Sequence, residues 1–227
     1  MKNYPKNFFD KQKVDSYQSA QVIVPLVLDL FPSLSSVIDI GCGLGAWLKV
    51  FAENGIDNYL GVDGKWVDQR ELLIPQKKFV VQELEQDFNL SGKYDLSLCL
   101  EVAEHLPASS SDKLVHFLTN ISQIILFSAA IPGQDLYAKM LHLNEQWPEY
   151  WAKKFFQFDF YPIDLLRDKI WFDERVKYWY RQNILFFVSQ EFLNKNSQLQ
   201  NLVADSKKLA RVHPKTYREV LKYYKNN

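Results

Sequence analysis

Val37-Ile38-Asp39-Ile40-Gly41-Cys42-Gly43-Leu44-Gly45 is an apolar, β-branched run that passes straight into three alternating glycines. A helical stretch, Leu44 to Asn54, follows and is stopped by Gly55. Glycine lets the backbone turn sharply and approach a ligand closely, because no Cβ stands in the way. Strand, glycine bend and helix in that order make the opening unit of a parallel sheet, with a ligand crevice at the strand's C-terminal end.

Working outward, short β-branched runs alternate with helical stretches. Ser19 to Leu30 reads as a helix ahead of the first strand, Val37 to Ile40. Further strands are expected at Tyr59 to Val62, Phe79 to Gln82, Tyr94 to Leu100 and Gln123 to Ala130, with a helix from Ser110 to Ile121 before the last of these. Beyond Pro132 comes an aromatic segment with Trp147, Trp151, Phe155, Phe156, Phe158, Phe160 and Tyr161, read as an inserted helix plus irregular structure capping the sheet's C-terminal edge. Taken one by one, most of these aromatics fit equally well as core. Ile184 to Ser189 returns as a strand, and helix follows it. The fold class is α/β: a Rossmann-like, mostly parallel sheet flanked by helices, with an aromatic-rich cap insertion after the fifth strand. One domain over residues 1–227 is expected: a helical segment to 35, a cofactor-binding core over 36–131, an acceptor cap over 132–183, and the last strand with C-terminal helices over 184–227.

Lys+Arg and Asp+Glu each number 27, so no global charge favours a polyanion such as nucleic acid. The basic stretch from Lys207 to Lys225 reads as a solvated helix face. The two cysteines, Cys42 and Cys99, sit in apolar runs and fit buried reduced thiols in a cytoplasmic protein. Met1 to Asp15 has no hydrophobic signal core, and the longest apolar run, Val22 to Leu28, is broken by Pro25, so neither secretion nor a membrane span is expected.

The chemistry follows from two carboxylates. Asp39 lies two residues before Gly41, a costly place for a pyrophosphate and an attractive one for a cation, and the G-x-G-x-G spacing differs from the dinucleotide fingerprint G-x-G-x-x-G. S-adenosylmethionine is such a cation, with a sulfonium and an ammonium. Asp63 closes the second strand 18 residues after Gly45, where a carboxylate can accept both ribose hydroxyls.

The segment from Val37 to Pro107, with Phe79-Val-Val-Gln-Glu-Leu84 and Tyr94-Asp-Leu-Ser-Leu-Cys-Leu-Glu-Val-Ala-Glu-His-Leu-Pro107, resembles the class I S-adenosylmethionine-dependent methyltransferases, in particular their small-molecule branch. The resemblance implies a seven-stranded sheet and S-adenosyl-L-methionine as cofactor. It places Gly41, Cys42, Gly43 and Gly45 against the methionine part and Asp63 at the ribose. Gly64 and Trp66 would flank the adenine, Glu83 and Leu84 would lie near its amino group, and Leu100 and Glu101 would border the cofactor. Glu83 stands where the family usually has Asp, and Glu85 and Asp87 are alternatives for that contact. Ala130-Ile-Pro-Gly-Gln134, His142-Leu-Asn-Glu-Gln-Trp-Pro148 and Trp179-Tyr-Arg-Gln-Asn183 resemble a bacterial subgroup of these enzymes. Residues 135–141, an addition relative to that subgroup, would reshape the acceptor pocket.

Methyl transfer is an in-line displacement that needs a base only where the nucleophile is protonated. His142 and His105 are the candidate bases, with Glu145 and Glu104 behind them. Asn144, Gln146 and Trp147 are candidates for holding the acceptor. No compact ligand set is visible in the linear sequence, so no metal is expected. The leading expectation is O-methylation of a small molecule, either a peptide or metabolite carboxylate or a sugar hydroxyl. The alternatives are an inactive module that binds adenosylmethionine or adenosylhomocysteine and, against the glycine spacing, a nicotinamide dehydrogenase.

Overall fold

The computed structural model describes residues 6–86, 90–134 and 142–226. Its elements in chain order are α1 (Lys6–Leu30), β1 (Ser36–Ile40), α2 (Ala46–Glu53), β2 (Asn58–Asp63), β3 (Phe79–Val81), β4 (Tyr94–Leu100), α3 (Ser111–Ile121), β5 (Ser122–Ser128) and α4 (Pro148–Phe156), followed by β6 (Phe160–Ile163), α5 (Arg167–Ile170), α6 (Tyr178–Asn183), β7 (Leu185–Ser189), α7 (Gln190–Lys195), α8 (Ser197–Gln200) and α9 (Pro214–Asn226). Seven strands form one sheet in the order β3-β2-β1-β4-β5-β7-β6. β1 to β5 pair in parallel and β7 runs antiparallel to both β5 and β6. The Rossmann-like architecture expected from the sequence is therefore the architecture of the chain.

Period-two alternation sends the strands' side chains into two cores. Val37, Leu96, Leu98, Ile124, Leu126, Phe186 and Val188 face one side, where Ile23, Val27, Leu48 and Phe51 of α1 and α2 cover them. Ile38, Ile40, Cys99, Ile125, Phe127, Leu185 and Phe187 face the other, beneath Leu114, Leu118, Trp151 and Phe155 of α3 and α4. Strands covered on both faces read as continuous apolar runs, which is why β1, β4, β5 and β7 were visible in the sequence.

The aromatic cluster expected after the fifth strand is present. Trp151 and Phe155 of α4 pack into the sheet, with Phe155 stacked on Phe187 at 4.0 Å between ring centroids and edge-on to Phe127 at 5.5 Å. The segment also contributes β6, which the sequence did not reveal. Pro162 cannot donate to a ladder, and β6 accommodates it because it is the sheet's edge strand, with β7 on one side and a single bridge from Ile163 to Val203 on the other.

The chain order reverses where β1 lies between β2 and β4, since β2 and β3 extend one way and β4 and β5 the other. A crevice opens there outside the carboxyl ends of the strands. Among the described residues, no helix is long and apolar enough to cross a membrane.

Candidate active site

The glycine bend sits in that crevice. The Gly41 and Cys42 amides both donate to the Val62 carbonyl at 2.8 and 3.1 Å, and the Gly45 amide donates back to the Cys42 carbonyl at 2.9 Å. Gly41, Gly43 and Gly45 have φ of 81°, 53° and 80°, the left-handed region that side chains other than glycine rarely adopt. Space is equally tight, since a Cβ on Gly41 would lie 2.4 Å from Cγ2 of Val102. Gly41→Ala therefore combines left-handed strain with overpacking and is expected to cost about 2 kcal/mol. For a chain of this size that lowers Tm by about 4–8 °C in thermal unfolding. Adding Val102→Ala should return the clash part of the loss and not the strain part.

Asp39 projects into a cavity lined by Gly41, Gly43, Leu100, Trp47 of α2, Tyr180 of α6 and Ser16 of α1. It is 2% exposed, and its Oδ2 has no hydrogen-bond partner among the described residues. Burial, and then the neighbouring charge of Asp63, push its carboxyl up to about 8. A buried carboxylate left without a donor is costly, and a cation in the cavity offsets that cost.

Asp63 ends β2 beside this cavity. Its Oδ2 accepts from the Gly43 amide at 2.7 Å and its Oδ1 from the Gly64 amide at 2.6 Å. Burial raises its carboxyl to about 6, opposed by those two amides and by a hydrogen bond from Trp66. The Trp66 ring lies so close over Gly64 that a Cβ there would meet it at 2.3 Å. Glu83 follows β3 and faces Lys65 at 3.7 Å. Leu84 is buried in the second core, Glu85 is exposed, and Asp87 lies outside the described residues. Burial raises the thiols of both Cys42 and Cys99, which are free and inert in the interior.

A second set of groups follows β4. Glu101 takes the left-handed φ of 55°, rare outside glycine, and its amide donates to the Ser128 carbonyl at 2.9 Å. Its carboxylate accepts from Asn183 Nδ2 at 3.1 Å and from Gln134 Nε2 at 3.0 Å. Gln182 extends this network to Gln134 and, through its Oε1, to the Thr216 hydroxyl at 2.8 Å. Glu104 is fully buried; one oxygen accepts from the Ala130 amide at 3.1 Å and the other has no partner among the described residues. Burial, reinforced by Glu101, holds its carboxyl well above the ordinary range.

The Leu143 and Asn144 amides donate to the Glu104 carbonyl at 2.7 and 2.9 Å, which clamps the segment after residue 141 onto the loop after β4. His142 is thereby set against His105, with ring centroids 4.7 Å apart and edge to face. His142 Nδ1 lies 2.8 Å from Glu145 Oε1, and Glu145 Oε2 accepts from the Gly133 amide at 2.7 Å. The fold thus gathers Glu104, His105, His142 and Glu145, all four named from the sequence, into one group beside Glu101.

The candidates for holding the acceptor are spread differently. Asn144 is 3% exposed, its amide committed to Ser111 at 3.0 Å and to Gln146 at 3.0 Å, so it braces the segment from inside. Trp147 is 44% exposed. Residues 135–141, expected to reshape the acceptor pocket, lie outside the described residues. Sequence reasoning missed Ser16, Trp47 and Tyr180 as cavity walls and Gln134, Gln182 and Asn183 as partners of Glu101. Of these, all but Ser16 fell within stretches that carried a family resemblance.

Residues 15–168 match a family model described as a methyltransferase domain. A chloroplastic magnesium protoporphyrin IX methyltransferase of Arabidopsis thaliana is 27% identical over 121 residues, covering 50% of this chain and 38% of that protein. A ubiquinone biosynthesis O-methyltransferase of Acinetobacter baumannii (strain AYE) is 34% identical over 85 residues, covering 33% of this chain and 35% of that protein. The chain thus spans little more than a third of the length of these curated relatives. Among solved structures, magnesium protoporphyrin IX methyltransferase from Synechocystis PCC 6803, with bound SAH, superposes with a TM-score of 0.56 at 21% identity, covering 83% of this chain and 90% of that one. At that identity the likeness is one of fold. By its matched domain, sheet order and glycine bend, the chain belongs to the methyltransferase-domain family, within the class I S-adenosylmethionine-dependent methyltransferases.

Proposed function

We propose that this methyltransferase transfers a methyl group to an oxygen of a small molecule, a peptide or metabolite carboxylate or a sugar hydroxyl. The observation that carries the reading is the His142 and Glu145 pair, 2.8 Å apart, on a segment clamped to the loop that follows Leu100, a wall of the glycine-lined cavity. S-adenosylmethionine is the cofactor, and the chain fits it: the cavity holds an unpartnered buried carboxylate oxygen, and its glycine wall leaves no room for a Cβ. Bound there, the cofactor supplies an electrophilic methyl on a positively charged sulfur.

The residues divide the work. Asp39 offers negative charge to the cationic end, Gly41, Cys42, Gly43 and Gly45 give close backbone approach, and Asp63 accepts the ribose hydroxyls while holding the loop through Gly43 and Gly64. Trp66 and Gly64 flank the base, Glu83 with Leu84 lies toward its amino group, and Leu100 walls the cavity. Glu145 orients the His142 ring so that its other nitrogen takes the proton of a hydroxyl acceptor; a carboxylate acceptor needs no such step. His105 packs on His142 and limits its swing. Gln146 and Trp147 face the acceptor. With equal numbers of positive and negative side chains, the chain offers little to nucleic acid, and its buried thiols suit a reducing cytoplasm.

The raised pKa of Asp39 makes cofactor binding pH-dependent. Its ionised form is disfavoured in the ligand-free fold, so stability falls as pH climbs from about 4 toward about 8. A cationic ligand favours that ionised form, so affinity for S-adenosylmethionine should rise with pH up to about 8 and flatten above it. Calorimetry in buffers of different ionisation enthalpy should register proton release below that pH in the wild type and less in Asp39→Asn, where Asp63, raised to about 6, is the carboxyl left to titrate.

Incubation with cofactor labelled on its methyl group and a pool of cellular metabolites tests the reading directly. Label should appear in small molecules as esters or ethers. Cofactor binding with no label transferred, or label only on nitrogen, contradicts it.

A further inference from the structure

We propose that Glu104, His105 and His142 form a binding site for one divalent transition-metal ion, of the zinc, cobalt and manganese class. One carboxylate oxygen of Glu104 and one ring nitrogen of each histidine lie within 4.8 Å of one another. Ligands at about 2.0–2.2 Å from a common ion stand roughly 3–3.5 Å apart, so modest side-chain rotations close the set.

Two independent observations point to a cation at this place. Glu104 is wholly buried with one oxygen lacking any partner among the described residues, while its other oxygen is fixed by the Ala130 amide. A buried carboxylate of that kind calls for a positive charge. Glu145 braces His142 from behind: with Nδ1 donating to Glu145, the lone pair stands on Nε2, and Glu145 is itself held by the Gly133 amide. A carboxylate orienting a histidine through its far nitrogen is the usual outer support of a metal ligand. The main-chain clamp from Leu143 and Asn144 to Glu104 fixes the two loops that supply the set.

Two imidazoles and one carboxylate suit a borderline transition ion rather than magnesium or calcium, which prefer oxygen throughout. Three protein ligands leave positions open, as in zinc sites that take a substrate oxygen. The expectation of no metal rested on chain spacing, and this set is compact only in space. With an ion bound, the Nε2 lone pair is committed to it, so proton acceptance by His142 belongs to the ion-free protein. Only the ion's role toward an acceptor oxygen rests on the proposed function; its binding does not.

The test uses the full-length, chelator-stripped chain without an affinity tag. Zinc is titrated by calorimetry and cobalt by visible absorption, with adenosylhomocysteine binding measured on the same samples. One ion per chain is expected, with visible cobalt bands and no displacement by equimolar magnesium. Glu104→Gln, His105→Asn and His142→Ala should each weaken binding at least tenfold, and Glu145→Gln about tenfold. Failure of the wild type to bind a stoichiometric ion, or undiminished binding in variants that keep their adenosylhomocysteine affinity, overturns the proposal. Loss of adenosylhomocysteine binding by the wild type counts against the methyltransferase reading and leaves the metal result standing.

Discussion

Asp63→Ala is expected to weaken binding of S-adenosylhomocysteine about a hundredfold. A carboxylate that accepts two ribose hydroxyls contributes two charge-assisted hydrogen bonds, each worth about 1.5 kcal/mol at the low end, and about 3 kcal/mol corresponds to that factor. The same substitution releases the Gly43 and Gly64 amides, so part of the loss comes from a looser bend rather than from the sugar. Asp63→Asn separates the two parts. It keeps one acceptor oxygen and the shape of the side chain, and should lose about tenfold, whereas 2′-deoxy ligand should bind the wild type weakly and the Ala variant no worse than the parent ligand. Calorimetry of the four combinations reads this directly. Equal affinity of wild type and Ala variant would show that Asp63 serves only the loop.

His142→Ala should do the opposite: turnover falls about a hundredfold for a hydroxyl acceptor while affinity for adenosylhomocysteine stays unchanged. The ring stands beside His105 and Glu145, on the proposed acceptor side, and does not line the glycine-walled cavity. Glu145→Gln should lower turnover less, because the ring survives and loses only its orienting carboxylate. Labelled transfer to whichever metabolite proves active measures both. A carboxylate acceptor alters the expectation in a defined way, since His142→Ala then changes turnover only slightly and the rate is flat from mildly acidic pH upward.

What the sequence made legible follows the physics of burial. β4 was placed at its observed bounds, and β1, β2 and β5 within two residues, because strands covered on both faces need unbroken apolar runs. β6 was hidden by Pro162 and by aromatics that fit a helix or a core equally well; only pairing with β7 decides it. α1 extends from Lys6, well before the Ser19 expected as its start, and Pro25 lies within it rather than ending anything.

The residues of the proposed cofactor side could be named from the chain because they are close in sequence and their chemistry is local: a left-handed bend needs glycine, and Asp63 at the end of β2 holds that bend through the Gly43 and Gly64 amides. Its walls could not, since Ser16 and Tyr180 meet the bend only after the sheet is assembled, with their hydroxyls 3.2 Å apart. The acceptor side was half readable. Glu104, His105, His142 and Glu145 could be named singly, but their assembly depends on two amides of one loop reaching one carbonyl of another. No spacing rule along the chain expresses that contact.

The bend between β1 and α2, with Asp39 of β1 just before it and Asp63 beside it, is the proposed binding site of a sulfur nucleoside. Titration of the purified chain with S-adenosylhomocysteine in a calorimeter tests this most directly. One equivalent should bind with measurable heat, S-adenosylmethionine should compete for the same site, and a nicotinamide dinucleotide should not. No heat with either sulfur nucleoside, or displacement by the dinucleotide, contradicts it.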